Sequence, residues 1–226
     1  MSTAREHILG NLRQALQRGP LSAEGEAGLD ARLSDPPAAL IPARGRVEGK
    51  ARITAFCDEA ARAGATVVRV ASPAAVPGAV AAYLTQHDLP TDVRLAPDPF
   101  IAGLPWSEQA ALNTSAGPAR PTDAVSVTGT AAAVAETGTV VLASGAESPT
   151  TLNFLPDTHI AVLGAETIVA AYEATWAAVR AADGALPRVV NWITGPSRTA
   201  DIEQTLLIGI HGPRRQHIVL IDDQDA

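Results

Sequence analysis

The stretch Thr158–Thr194 reads THIAVLGAETIVAAYEATWAAVRAADGALPRVVNWIT, and it decides the fold. Thr158–Leu163 is a short apolar run rich in β-branched residues, which predicts a strand buried on both faces. Ala165–Ala182 places Ile168, Tyr172, Thr175, Trp176 and Val179 on one face at helical spacing. Arg188–Thr194 is strand-like again. A strand, a helix and a strand in so short a span make the unit from which parallel sheets are built.

The same alternation extends in both directions. Upstream, the sequence predicts a helix over Glu48–Ala63 closed by Gly64, a strand over Ala65–Ala71, and a helix from Ser72-Pro73 to about His87. A strand follows at Asp92–Ala96. Residues 97–121, with five prolines, read as loop with room for one helical turn. Asp123–Thr128 and Gly138–Ala143 (GTVVLA) read as strands around an Ala-rich helical turn at Ala131–Ala135. Downstream, a helix is expected to open near Thr199, and Gln216–Ile221 (QHIVLI) is the last strand. The expected class is α/β, a mostly parallel sheet with helices on both faces.

The N-terminal part differs. Thr3 and Glu6 form an S/T-x-x-E capping pattern, and Ile8, Leu12, Ala15 and Leu16 share one helix face before Gly19-Pro20 ends it. Residues 20–47 have no sustained period and read as an irregular connector. The expected division is 1–47, an amphipathic helix and connector, and 48–226, an α/β domain.

Composition narrows the function. Of 226 residues 46% are hydrophobic and 18% charged, so the chain has the means to bury a core. One cysteine, Cys57, excludes an internal disulfide, a Cys-based zinc site or an iron–sulfur cluster held by this chain alone. The helical spacing around Cys57 favours a buried small residue over a nucleophile. The net charge of −7 falls entirely in residues 101–226, which hold 6 basic and 13 acidic groups. Without a basic stripe, nucleic acid is not an expected partner. The polar N-terminus lacks the apolar region of a secretory signal, and no stretch reads as a membrane span, so the chain is expected in the cytoplasm.

The sequence lacks G-x-G-x-x-G, the P-loop, H-E-x-x-H and G-x-S-x-G. Three dense clusters remain. In Ala135-Glu136-Thr137-Gly138-Thr139, Glu136 is a candidate nucleophile or base, with Thr137 and Thr139 as hydroxyl donors. A surface turn with Glu136 as a cap fits equally well. In Gly195-Pro-Ser-Arg-Thr-Ala-Asp-Ile-Glu203, Gly195 admits close backbone approach. Ser197, Thr199 and Asp201 can cap or bind, and Arg198 offers a fork for a carboxylate or phosphate. The competing reading is a capped helix start. In Gly209-Ile-His-Gly-Pro213, His211 is a candidate general base or a turn residue bonded to backbone. His159, in Asn153-Phe-Leu-Pro-Asp-Thr-His159, reads as structural. No metal-ligand spacing is present.

In this order, the three clusters and the Leu155-Pro156…His159-Ile160 segment resemble the lactate utilization protein C family (LutC/YkgG, the LUD domain). The resemblance covers about residues 48–222 and is best from 123 onward. Ile210 stands where the family usually has Val, and no basic residue occurs in Pro149–Asn153 ahead of the Leu-Pro segment. The resemblance implies a fold similar to the sugar-isomerase and CoA-transferase superfamily. It implies a part in bacterial L-lactate oxidation to pyruvate, beside an iron–sulfur subunit and a Cys-rich subunit, which would carry any cluster. From the Arg198 turn itself, a small carboxylate is the expected ligand. Two alternatives stay open: an independent CoA-transferase or phosphosugar-isomerase type of enzyme using Glu136, and a non-catalytic module binding a small carboxylate.

Overall fold

A computed structural model describes residues 3–17, 19–35, 40–181, 186–201 and 203–222. The chain divides into two units, residues 1–40 and 41–226. In the first, α1 spans Ala4–Ala15 and α2 spans Ala23–Ser34. The expected capping box closes α1: the Glu6 amide donates to the Thr3 hydroxyl and the Thr3 amide to the Glu6 carboxylate. The connector expected over 20–47 is not irregular throughout. Ser22 accepts from the Gly25 amide at 3.1 Å and starts α2, a cap signal that the nearby Gly and Pro residues obscure.

The second unit runs α3 (Gly49–Arg62), β1 (Thr66–Val70), α4 (Val76–Gln86), β2 (Asp92–Leu95), α5 (Pro99–Ala102), β3 (Asn113–Ala116), β4 (Val125–Gly129), β5 (Ala132–Val134) and β6 (Thr139–Ala143). It continues through α6 (Thr151–Phe154), β7 (Thr158–Gly164), β8 (Ile168–Val169), α7 (Tyr172–Ala181), β9 (Val190–Ile193), β10 (Arg198–Thr199), β11 (Leu207–Ile208) and β12 (Arg215–Ile221). Six strands pair in parallel in the order β1-β12-β7-β4-β2-β3. On one face Val125, Val127, Ile160, Val162 and Val219 meet Val80 and Leu84 of α4 and Ile101 of α5. On the other, Ala161, Leu163, Ile218 and Leu220 meet Phe56 and Ala60 of α3. The expected α/β class, a parallel sheet with helices on both faces, is present.

A second sheet was not expected. β8-β5-β6-β9 form four mixed strands, and Val140 and Leu142 share the core with α3. Three local expectations fail because of it and its neighbours. Ala131–Ala135 is not a helical turn; Ala132–Val134 is a strand held between β6 and β8, where small side chains fit a site buried on both faces. The helix expected from Ala165 starts at Tyr172, because Ile168 pairs in register with Ala133.

No helix opens at Thr199 among the described residues. Arg198 and Thr199 pair antiparallel with Ile208 and Leu207. The Thr199 hydroxyl donates to the Asp201 carboxylate and accepts from the Asp201 amide. Glu203 and Gln204 take positive φ values of 51° and 55°, which a right-handed helix excludes. The helix dipole expected to attract an anion there is therefore absent. The strand missed in residues 97–121, β3, is a fully exposed edge of four residues, too short and polar to show a pattern.

Candidate functional site

The sheet register lines up Ser126, His159 and Gln216 side by side on β4, β7 and β12, with Arg94 of β2 next in the row. All four side chains point to the α3 face, and all four are buried. A buried polar row costs free energy unless its hydrogen bonds are met. At one end they are. Arg94 grips Asp123 with two bonds of 2.8 and 3.1 Å, and Ser126 donates to the Leu152 carbonyl at 2.6 Å.

At the other end they are not. His159 uses Nε2 on the Thr128 hydroxyl at 2.8 Å, but its Nδ1 has no partner among the described residues. Both polar atoms of the Gln216 amide and Oδ1 of Asn153 on α6 are likewise unpartnered. These three residues line one cleft of about 250 Å³.

Further lining comes from the segments after β9 and before β12, with Gly195, Ser197 and Arg198, then His211, Gly212 and Pro213. Gly195 holds φ +74°, and a Cβ there would overlap the Ala63 carbonyl oxygen at the end of α3. Ser197 ties the two loops together. Its amide donates to the Pro213 carbonyl and its carbonyl accepts from the Gly209 amide, both at 2.9 Å. Its hydroxyl accepts from the His211 amide at 3.3 Å. A Cβ built on Gly64 would lie 3.1 Å from an Arg198 Nη, so that guanidinium stands over the carboxyl end of α3, where a cation is favoured.

The cleft is neutral inside and cationic at its rim. Burial pushes the His159 imidazole down to about 4, so it is uncharged at neutral pH. Arg198 and His211 are exposed. Such an arrangement can take a small ligand with a polar neutral end and an anionic end.

Four of the residues singled out from sequence, Gly195, Ser197, Arg198 and His211, thus meet at one cleft. Thr199 and Asp201 bond each other in the turn beyond it and are not among its lining residues. Thr137 and Thr139 lie in a hydroxyl chain. Thr137 bonds Thr139 and the Tyr172 hydroxyl, and Thr139 bonds Thr194 at 2.6 Å, which lines the cleft. Glu136 is elsewhere: it follows β5, is buried, and holds Arg44 at 3.2 Å.

Sequence reading missed Asn153 and Gln216 and assigned His159 to structure. For Gln216 and His159 the signal was a polar residue inside a strand otherwise buried on both faces, and it becomes legible once the register is known.

A larger cleft of about 600 Å³ lies at the carboxyl ends of β4 and β7, lined by Gly129, Thr130, Gly164, Asp98 and Glu166 among others. Open α/β sheets commonly bind ligands at that end. Its one unpartnered buried atom is the Thr130 hydroxyl, and Asp98 is engaged in capping α5. The smaller cleft is lined by three buried side chains that carry four such atoms.

Among the described residues no group of three or more His, Cys, Asp or Glu could hold a metal ion, and no helix is long and apolar enough to cross a membrane. The single thiol, Cys57 on α3, has its pKa raised by burial.

Residues 122–221 match the LUD domain family model. Lactate utilization protein C of Anoxybacillus flavithermus is 41% identical over 91 residues, 40% of each chain. The protein of the same description from Geobacillus sp. (strain WCH70) is 42% identical over 94 residues, 40% of this chain and 39% of the relative. The one from Bacillus licheniformis is 37% identical over 103 residues, 44% and 43% of the two chains. The matches thus span about two fifths of these relatives' own length. The crystal structure of a DUF162 family protein from Deinococcus radiodurans superposes with a TM-score of 0.54 at 26% identity, covering 77% of this chain and 99% of that one. All the cleft residues named above fall within the segment, residues 122–221, that matches the LUD domain model.

Proposed function

We propose that this protein serves in bacterial lactate utilization, as a component of the cytoplasmic system that oxidises L-lactate to pyruvate, and that its 250 Å³ cleft holds the small carboxylate. One observation carries the reading. Gly195, Ser197, Arg198 and His211, drawn from two separate motifs, line a single cleft together with three buried polar side chains, His159, Gln216 and Asn153. The relatives described as lactate utilization protein C support the process.

Oxidation of lactate releases two electrons and two protons, and the electrons need an acceptor. With one half-buried cysteine, the chain would pass them to centres on iron–sulfur and Cys-rich partner subunits. Arg198 would anchor the carboxylate, and His211 would stand at the mouth as a proton-handling group. The transferase or isomerase alternative needs Glu136 free to react, and its carboxylate is instead engaged with Arg44 outside the cleft.

Thermal-shift titration with L-lactate, pyruvate and acetate tests the site, with Arg198→Ala as control. The expected result is stabilisation by the three-carbon acids that Arg198→Ala removes. Deletion of the gene in its source cell tests the process, through growth on L-lactate, and affinity capture of iron–sulfur proteins tests the partners. Absence of any shift together with normal growth on lactate would overturn the proposal.

A further inference from the structure

We propose that the cleft of about 600 Å³ at the carboxyl ends of β4 and β7 is a second ligand site, and that it takes a small organic cation, an ammonium carried on an apolar body.

The charge of the lining gives the sign of the ligand. Asp98, Glu147 and Glu166 line the cleft, and no Lys, Arg or His does. None of the three carboxylates forms an ion pair among the described residues. A phosphate, a nucleotide or a carboxylate entering here would meet three negative charges and no positive one. A metal ion is not the fitting cation, since no three His, Cys, Asp or Glu among the described residues are grouped to hold one. An organic cation needs no such convergence.

Two of the carboxylates are placed by glycines. Gly129 and Gly164 end β4 and β7, neighbouring strands of the parallel sheet. A Cβ on Gly129 would stand 3.1 Å from Asp98 Oδ2, and a Cβ on Gly164 would overlap the Glu166 carboxylate. Both side chains thus fold over strand ends that only glycine leaves open to them. Gly129 is in register with Val162, two residues before Gly164, so strand geometry sets the glycines ~8 Å apart. An ammonium between them feels both charges. Asp98 Oδ1 already accepts from the Ile101 amide at 2.9 Å and caps α5, which fixes this carboxylate and leaves Oδ2 for the ligand.

The uncharged lining seats the body. Phe100, one of three phenylalanines in the chain, lines the cleft with 44% of its surface exposed. An aromatic ring beside carboxylates holds an organic ammonium by cation–π attraction and ion pairing together. Ala131, Ala143 and Ala146 keep another part of the lining small and apolar. Asp98 is half-buried and Glu147 and Glu166 are exposed, so the ammonium keeps part of its hydration and escapes the cost of full burial. The volume falls within the ~300–1,000 Å³ of small-molecule sites.

Isothermal titration of the full chain with 2-phenylethylamine tests the site, with 2-phenylethanol as its neutral counterpart. The amine is expected to bind at least about threefold more tightly than the alcohol. Glu166→Gln and Asp98→Asn are each expected to weaken the amine about threefold and leave the alcohol unchanged. Asn caps a helix as well as Asp does, and Glu166 is exposed, so both variants keep the fold. Phe100→Ala should weaken amine and alcohol together. Glu108→Gln, at an exposed acid outside the lining, should change neither.

No binding of the amine, or an alcohol that binds as tightly, would overturn the proposal. So would Glu166→Gln and Asp98→Asn that keep the full affinity for the amine. An equal loss in Glu108→Gln would overturn it too, by assigning the attraction to the net charge of −7 and not to the cleft.

Discussion

The backbone amide of His211 donates to the hydroxyl of Ser197 at 3.3 Å across fourteen residues of chain. This bond, with the two backbone bonds of Ser197, fixes the loop carrying Arg198 against the turn carrying His211. Ser197→Ala removes the hydroxyl and keeps the backbone pair. The expected cost in stability is about 1 kcal/mol, since one partly exposed bond is lost. The effect on lactate affinity should be larger in proportion, because both rim residues lose their mutual register. Denaturant unfolding and acid titration on the same variant check this, and unchanged affinity would count against the rim as the carboxylate holder.

Gly138 sits at φ +65° in the turn between β5 and β6, and a Cβ there would overlap the backbone of Ala60 in α3. The turn that presents Glu136 and Thr137 is thus pressed onto a helix with no room for a methyl group. Gly138→Ala must strain the backbone and push α3 from the core it shares with Val140 and Leu142. The expected destabilisation is about 3 kcal/mol or more. A fall in the urea midpoint with unchanged slope would show it, and a loss under 1 kcal/mol would mean that α3 yields easily.

Two histidines make stability fall on acidification. Burial lowers His159 and His217 to about 4 from an ordinary value of 6.5. His217 has Nδ1 on the Thr66 hydroxyl at 2.8 Å, its ring stacked 3.9 Å from Tyr83 and its Nε2 unpartnered among the described residues. Between pH 6.5 and 4 the unfolded chain binds these two protons and the folded chain does not. The stability they contribute is complete above pH 6.5 and declines as pH falls toward 4. The slope is about 1.4 kcal/mol per pH unit for each. His217→Phe keeps a ring on Tyr83 and should remove about half of that slope between pH 6.5 and 5, measured by urea unfolding at several pH values. An unchanged slope would assign the acid sensitivity to other groups.

The parallel sheet was legible because its strands are short, apolar and separated by capped helices, as in Thr158–Leu163 and Gln216–Ile221. The second sheet was not. Ala132–Val134 and Ile168–Val169 are strands by virtue of their neighbours, and three alanine-rich residues carry no period of their own. The Gly195–Glu203 motif was visible as a cluster but misread as a helix start. Ser, Thr and Asp cap turns as readily as helices, and the pairing with β11 decides between them. His159 and Gln216 escaped because their meaning depends on which strands lie side by side, which a one-dimensional pattern does not contain.

Glu136 offers the sharpest separation between the competing chemistries. It is buried while its partner Arg44 is largely exposed, and the bond of 3.2 Å ties residues 41–45 to the end of β5. A Cβ on the buried Gly45 would sit 3.2 Å from the second carboxylate oxygen, so the same segment covers both oxygens. A carboxylate so placed acts as an anchor. Glu136→Gln is expected to cost about 1 kcal/mol, the value of a half-exposed ion pair whose hydrogen bond survives in weaker form. Affinity for lactate and pyruvate should not change, because the residue is not part of the cleft lining. A reactive Glu136 predicts the opposite pattern: little change in stability, and a mass adduct on Glu136 after incubation with acyl-CoA that Glu136→Gln abolishes. Intact-mass spectrometry beside the unfolding curve distinguishes the two, and an adduct would move the chemistry out of the cleft.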